Sequence, residues 1–380
     1  MDVVVAAGGA AWEAAAVREI EASTSLRLVR RCVDVADLLA VGLTDIAGAA
    51  LVAAELAGLD ADSVHRLERG GVRVAAVESD PARCHALGIE RLLQLGALDV
   101  VARDSVTATP PEQADRAPVI AVWGPTGAPG RSTVALGIAS AAGARGADTV
   151  LVDADTYGGS LAQMLSVLDD VSGLMAACRV ANNGRSSEVV DHLLAVDPGL
   201  RLLTGLPRAD MWTQVRTGAL ELVLGELRSS ADLVVVDCGF SLEAGGHGSM
   251  SRNQSTLHVL DQADTIIAVG RPDPVGLARL VRGLHDLAGT TRGRQPVVVI
   301  NMMRTTLGWK EREVETAVQR LTGIAPSAYL PFDQAGLDLA LVSGRTARQV
   351  APSSPFVARI EALTSAVAPR IVSRGVLSAS

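Results

Sequence analysis

Aromatic residues are scarce: four Trp, two Tyr and three Phe in 380 residues. A core with so few rings must be assembled from Val, Leu, Ile and Ala, and the 48% hydrophobic content allows this. Cysteine is also sparse. Cys32, Cys84, Cys178 and Cys238 lie far apart without a C-x-x-C pair, which argues against a disulfide framework or a thiolate zinc site and predicts buried free thiols. No uncharged apolar run approaches the ~20 residues of a membrane span. The most apolar candidate, 46–54, is closed by Asp45 and Glu55. The N-terminus lacks a basic stretch before its apolar residues, so a soluble, cytoplasmic protein is expected. Lysine is nearly missing: Lys310 stands alone among 34 basic residues. So uniform a replacement reads as a coding bias, and each arginine where lysine would be expected must be weighed against it. A net charge of −8 argues against a broadly basic surface, and no specific nucleic-acid partner is expected.

What the chain does have is β/α alternation. In the first hundred residues, 3–6, 26–29, 50–53, 72–76 and 99–102 read as strands. Helical runs at 11–20, 35–39, 62–68 and 81–87 separate them. Five such alternations predict a small doubly wound, flavodoxin-like domain over 1–104. The polar, proline-bearing stretch within 105–118 reads as a linker. From 119 to 368 the alternation resumes with continuous apolar strands, which predicts a second α/β domain with a mostly parallel sheet and helices on both faces. Residues 369–380 read as a tail. The last helical run, 356–367, carries Phe356, Ile360, Leu363 and Val367 at helical spacing but no basic face, so packing against the domain is expected over lipid contact.

The chemistry gathers at strand ends. Residues 119–123 read as a buried strand, a Gly- and Pro-rich loop follows, and Arg131, Ser132 and Thr133 open a helix. This order suits a phosphate-binding loop: bare backbone turns N–H groups inward, and the helix N-terminus adds partial positive charge. Two later strands end in Asp153/Asp155 and in Asp237. Carboxylates at such ends can hold Mg²⁺ or orient an attacking water, with Ser132 as a further Mg²⁺ ligand and Thr133 toward the α-phosphate. Each Asp taken alone reads as a turn or cap residue; the coincidence of all three with the loop points to a nucleotide site.

The motif TGAPGRST (126–133) resembles the deviant Walker A sequence of the MinD/ParA ATPases, with Gly127 and Gly130 as its glycines. LVDAD (151–155) resembles that family's switch-bearing motif and LVVVDCG (233–239) its Walker B strand. Asn301 matches a strand-end Asn near adenine, and Pro331 and Asp333 match a P-x-D stretch beside the base. A receiver-like domain in front is similar to the CpaE/TadZ branch, which positions Tad (Flp) pili, and to the septum-site-determining MinD-like proteins of actinobacteria. The segments 203–212 and 234–243 resemble the latter group. The resemblance implies ATP or ADP with Mg²⁺, a homodimer, protein partners in a pilus or cell-division complex, and membrane contact only through partners. It also implies recruitment to a pole or septum, with Asp153 and Asp155 as catalytic residues and Ser132 and Asp237 at the metal.

Two departures bear on activity. The family's signature lysine falls at Thr126 and its phosphate lysine at Arg131. Loss of both charges predicts weak nucleotide binding with slow or no hydrolysis. A receiver domain would also need an acidic cluster after its first strand and an Asp ending its third. Here those places hold Ala6-Ala7-Gly8-Gly9 and Ala53-Ala54-Glu55, so a pseudo-receiver is expected. A nucleotide-independent scaffold and an active ParA-like ATPase are the competing readings.

Overall fold

A computed structural model describes residues 1–42, 44, 46–103, 116–127, 129–167, 171–245, 251–291 and 293–369. The linker reading at 105–118 and the tail at 369–380 therefore lie almost wholly outside the described residues. The chain divides into two compact units. The first comprises Met1–Asp115, Ala177–Val189 and Arg216–Leu224; the second comprises Arg116–Ala176, Val190–Val215 and Gly225–Ser380.

The N-terminal alternation runs β1 (Asp2–Ala6), α1 (Glu13–Ala22), β2 (Arg27–Arg31), α2 (Val35–Gly42) and β3 (Ala49–Val52). It continues through α3 (Ala61–Arg69), β4 (Arg73–Val77), α4 (Pro81–Ala86), β5 (Arg91–Leu93) and α5 (Val100–Arg103). The five strands are parallel in the order β2-β1-β3-β4-β5, the flavodoxin-like arrangement. β3 is buried throughout, as its unbroken apolar sequence requires of a central parallel strand. One expected strand is overturned. The stretch 99–102 forms a turn at Asp99 and the start of α5, and Leu98 and Val101, three apart, are both buried. The fifth strand is instead Arg91–Leu93, too short to show an alternation.

The second alternation begins with β6 (Val119–Trp123), α6 (Arg131–Gly143), β7 (Thr149–Ala154), α7 (Leu161–Met164) and α8 (Gly173–Asn182). After β8 (Leu194–Asp197), β9 (Leu200–Leu203) and α9 (Thr217–Ser230) come β10 (Leu233–Cys238), α10 (Gln254–Gln262) and β11 (Thr265–Gly270). The remaining elements are α11 (Pro274–Thr290), β12 (Val297–Met303), α12 (Glu311–Thr322), β13 (Ala328–Pro331), α13 (Gln334–Ser343), α14 (Ala347–Val350) and α15 (Pro355–Val367). The sheet order is β13-β12-β11-β6-β10-β7-β9-β8, parallel except for the β8 edge. Helix α7 is short, Leu161–Met164, and Ser166 with φ +52° turns the chain away soon after.

Strand β6 shows how helices come to cover both faces. Ile120 and Val122 join the core under α6 and α15, whereas Trp123 points the other way. A Cβ on Gly283 of α11 would lie 2.8 Å from the Trp123 ring, so only glycine lets that helix sit so close. Helix α15 buries Phe356, Val357, Ile360 and Leu363, and Ile360 packs against Gly137 of α6. The apolar face anticipated at 356–367 is thus consumed by the fold. Ile360→Ala is expected to lower stability by about 2–5 kcal/mol in chemical denaturation, the range for a cavity in a close-packed core. All four cysteines are buried and free.

Candidate functional site

Parallel pairing sets the strand ends side by side. In register, Asp237 of β10 stands opposite Val122 of β6 on one side and Asp153 of β7 on the other. The loop after β6 therefore opens directly over the carboxylates. Gly130, at φ +89°, caps α6 with no side chain to satisfy the first helical N–H groups, which leaves them available to an anion. A Cβ at Gly130 would lie 2.4 Å from Asn301 Nδ2, whose amide donates to Pro129 O at 2.9 Å. Gly130→Ala is expected to cost about 1–3 kcal/mol through its left-handed backbone, with more from displaced Asn301, as a lowered thermal midpoint.

Arg131 does not stand free. Its Nη2 donates to Asp155 Oδ2 at 3.1 Å, and its Nη1 to the carbonyls of Gly124 and Pro125 at 3.2 and 3.4 Å. Only Nε is buried without a partner. The residue at the phosphate-lysine position thus ties its own loop to the second strand-end motif.

Asp153, Asp155 and Asp237 are all buried. Asp155 Oδ1 accepts from Tyr157 N at 2.8 Å. Asp153 accepts from the backbone N–H of Asp155 at 3.3 Å and of Leu161 at 3.1 Å. Burial outweighs these bonds and, with Asp155 nearby, pushes the Asp153 carboxyl up to about 6. A Cβ at Gly159 or Gly205 would come within 2.8 or 2.7 Å of that carboxyl, so glycine on both sides keeps the pocket around it open. Asp237 is fully enclosed, and neither of its oxygens has a hydrogen bond of good geometry; the Ser132 hydroxyl is only marginally placed to donate to it. Ser132 lies close enough to favour the charged form, as does Arg131, yet burial and Asp153 prevail and hold its pKa well above the usual range.

Tyr157 links the loops beyond β7 and β10. Its hydroxyl donates to Asn253 Oδ1 at 2.7 Å, Asn253 Nδ2 donates to Glu243 O at 2.9 Å, and its ring lies 4.6 Å from that of Phe240. The Gly-rich stretch at 246–248 lies outside the described residues. On the far side of the loop, Met302 adopts φ +62°, a left-handed conformation that costs a Met side chain strain, directly after Asn301. Phe332 N donates to Met303 O at 2.8 Å, bringing Pro331 and Asp333 beside the end of β12. Asp333 is engaged at two helix starts: it accepts from Gly336 N of α13 at 3.1 Å and from the hydroxyl of Ser354, which caps α15. Ser132 and Thr133 occupy the first turn of α6. Two residues escaped the sequence reading altogether. Arg271 donates to Gly127 O at 3.5 Å, and Arg279 lies against Gly127.

The donor set fits one kind of cation. Among the described residues no three His, Cys, Asp or Glu side chains meet as a metal cage. Asp237, with two unsatisfied oxygens, and the adjacent Ser132 hydroxyl suit Mg²⁺, which keeps several waters and takes oxygen ligands from phosphates. Among the described residues no helix is long and apolar enough to cross a membrane.

No protein-family model matches the chain, and no curated protein matches it. Solved structures do. The chain is similar to a ParA-family ATPase from Chlorobium tepidum (19% identity, TM-score 0.55), covering 66% of this chain and 99% of that one. It is similar to the septum-site-determining protein MinD of Pyrococcus horikoshii, complexed with Mg-ADP (17%, TM-score 0.51, 66% and 96%). A third match is a MinC:MinD cell-division complex of Aquifex aeolicus (16%, TM-score 0.51, 66% and 95%). At these identities what is shared is the fold: the α/β architecture, with its mainly parallel sheet covered by helices, is that of the MinD and ParA P-loop ATPases.

Proposed function

We propose that the chain is a MinD/ParA-like spatial regulator whose P-loop binds ATP or ADP with Mg²⁺ weakly and hydrolyses it slowly or not at all. The observation that carries this reading is Asp237: a carboxylate enclosed at a strand end, with both oxygens unsatisfied, beside Ser132 and below an uncapped helix N-terminus. A buried acid without hydrogen bonds costs stability, and a cation brought in with phosphates would relieve that cost. Gly127, Gly130, Arg131, Ser132 and Thr133 would hold the phosphates. Asn301, Pro331 and Asp333 would lie toward the base, and Ser132 with Asp237 toward the metal. Bound Mg²⁺ supplies charge neutralisation at the phosphates; the chain's own contribution is the loop backbone and the tethered Arg131. The catalytic role assigned to Asp153 and Asp155 is limited by two things: neutral Thr126, and an Asp155 carboxylate already engaged by Arg131.

The reading extends to a homodimer and to protein partners in a polar pilus or cell-division complex, as in the Aquifex assembly of MinD with MinC. Within it, 1–104 is a pseudo-receiver used for docking, 105–118 a linker, 119–368 the P-loop domain and 369–380 a tail. Calorimetric titration tests the nucleotide site. ATP with Mg²⁺ is expected to bind with a Kd of ~0.1–1 mM, about −5.5 to −4.1 kcal/mol, with phosphate release at background. Absence of binding by both ATP and ADP at millimolar concentration sinks this reading and favours the nucleotide-independent scaffold. The Arg131–Asp155 ion pair, which already holds the loop, supports that alternative.

A further inference from the structure

We propose that Arg279 supplies, to the terminal phosphate of a nucleoside triphosphate, the positive charge that Thr126 cannot. The inference rests on the reading of the P-loop as a nucleotide site. Strand β11 pairs with β6, so the turn after β11 and the early part of α11 run beside the loop. Thr126, Gly127, Pro129, Arg271, Asp273 and Arg279 line a cavity of about 190 Å³ there. That is smaller than the roughly 300–1,000 Å³ of sites that enclose a drug-sized ligand, and suits a phosphoryl group better than a nucleoside.

Gly127 fixes where the guanidinium lies. With φ +108°, a Cβ at this position would meet Arg279 Nη1 at 2.2 Å, so the cation rests directly on the loop backbone. Arg271 is a weaker candidate, because its Nε donates to Asp273 Oδ2 at 2.9 Å and its charge is offset. No ion pair engages Arg279 among the described residues, which leaves the cavity with one uncompensated positive charge. In a phosphate loop the N–H groups at the helix end cradle the α- and β-phosphates, and the side chain at the lysine position, here Arg131 already held by Asp155, reaches the β- and γ-phosphates. Gly127 lies at the opposite end of the loop, so Arg279 would meet the phosphate farthest from the helix end. A guanidinium there presents a planar fork to phosphate oxygens, in the same chain as the loop it serves.

Calorimetric titration of the full-length chain with Mg-ATP and Mg-ADP decides the matter. The wild type is expected to prefer ATP by about tenfold or more; Arg279→Ala should lose about that factor for ATP while keeping ADP affinity within about twofold. Arg279→Lys, which retains the charge without the fork, should keep part of the preference. An ATP-to-ADP ratio unchanged by Arg279→Ala, or no preference in the wild type, overturns the inference and leaves the P-loop reading standing. A wild type that binds neither nucleotide removes that reading itself. Arg279 is exposed on α11, so its removal should leave the thermal midpoint in place; a lowered midpoint with an unchanged ratio also counts against the proposal.

Discussion

Asp237→Asn is expected to raise the thermal unfolding midpoint while abolishing any stabilisation by Mg²⁺ and nucleotide. The carboxyl is fully buried, accepts no hydrogen bond of good geometry, and has its pKa held well above the usual value, first by burial and then by Asp153. An amide of nearly the same shape removes the cost of ionisation, and its Oδ1 can still accept from the neighbouring Ser132 hydroxyl. The sign with pH follows from proton uptake. A carboxyl whose folded-state pKa exceeds its unfolded one binds more protons when folded between the two values. Stability is therefore greatest at the acid end of that window and falls as pH rises through the folded pKa. For Asp153 the window runs from 3.8 to about 6. Denaturation midpoints of the wild type should fall from pH 4 toward pH 6 because of this pair of acids, and those of Asp237→Asn should fall less. Asp153→Asn provides the contrast. Both Asp153 oxygens accept backbone N–H groups, and an amide turns a donor toward one of them, so this variant should lose about 1–3 kcal/mol. Equal destabilisation by the two Asn variants would remove the claim that Asp237 is unsatisfied. A gain in stability at the expense of ligand response is the usual sign of a residue kept for function.

Much of this site was legible before the structure, for a definite reason. Strands β6, β7 and β10 are buried on both faces, so they are written as mainly apolar runs, and Asp153, Asp155 and Asp237 stand out at or just past the ends of β7 and β10. The short elements were not legible by the same signal. The run at 100–102 is apolar enough for a strand, and only the burial of Leu98 with Val101 reveals a helix turn. Helix α12 is charged along most of its length and touches the core through Val314 and Val318 alone, a spacing of four that could have been counted. Arg271 and Arg279 carried no sequence signal at all. They reach the P-loop because β11 pairs with β6, and sheet order across about a hundred and forty residues is not written in local periodicity. The engagement of Arg131 with Asp155 is also tertiary: both residues were visible, but the bond between them was not.

Arg131→Ala should be the more damaging change. Arg131 is the cation hydrogen-bonded to this cluster of three buried carboxylates, and its own side chain is largely enclosed. Removing one partner of a buried pair leaves the other charge uncompensated, which typically costs about 3–5 kcal/mol. The carbonyls of Gly124 and Pro125 lose their donor at the same time, so the loop loosens as well. Arg131→Lys should fall between, because one ammonium cannot reach two carbonyls and a carboxylate in the geometry of a fork. The double variant Arg131→Ala/Asp155→Ala separates ion pairing from the rest. If the cost lies in the stranded carboxylate, the double variant regains part of the loss, with a coupling energy of about 0.5–3 kcal/mol in urea denaturation. Strict additivity would mean that Arg131 stabilises through the loop carbonyls alone, and Asp155 would then be free to serve a ligand. A measured coupling means the reverse: phosphates that recruit Arg131 must first take it from Asp155, and this competition limits the affinity of the loop.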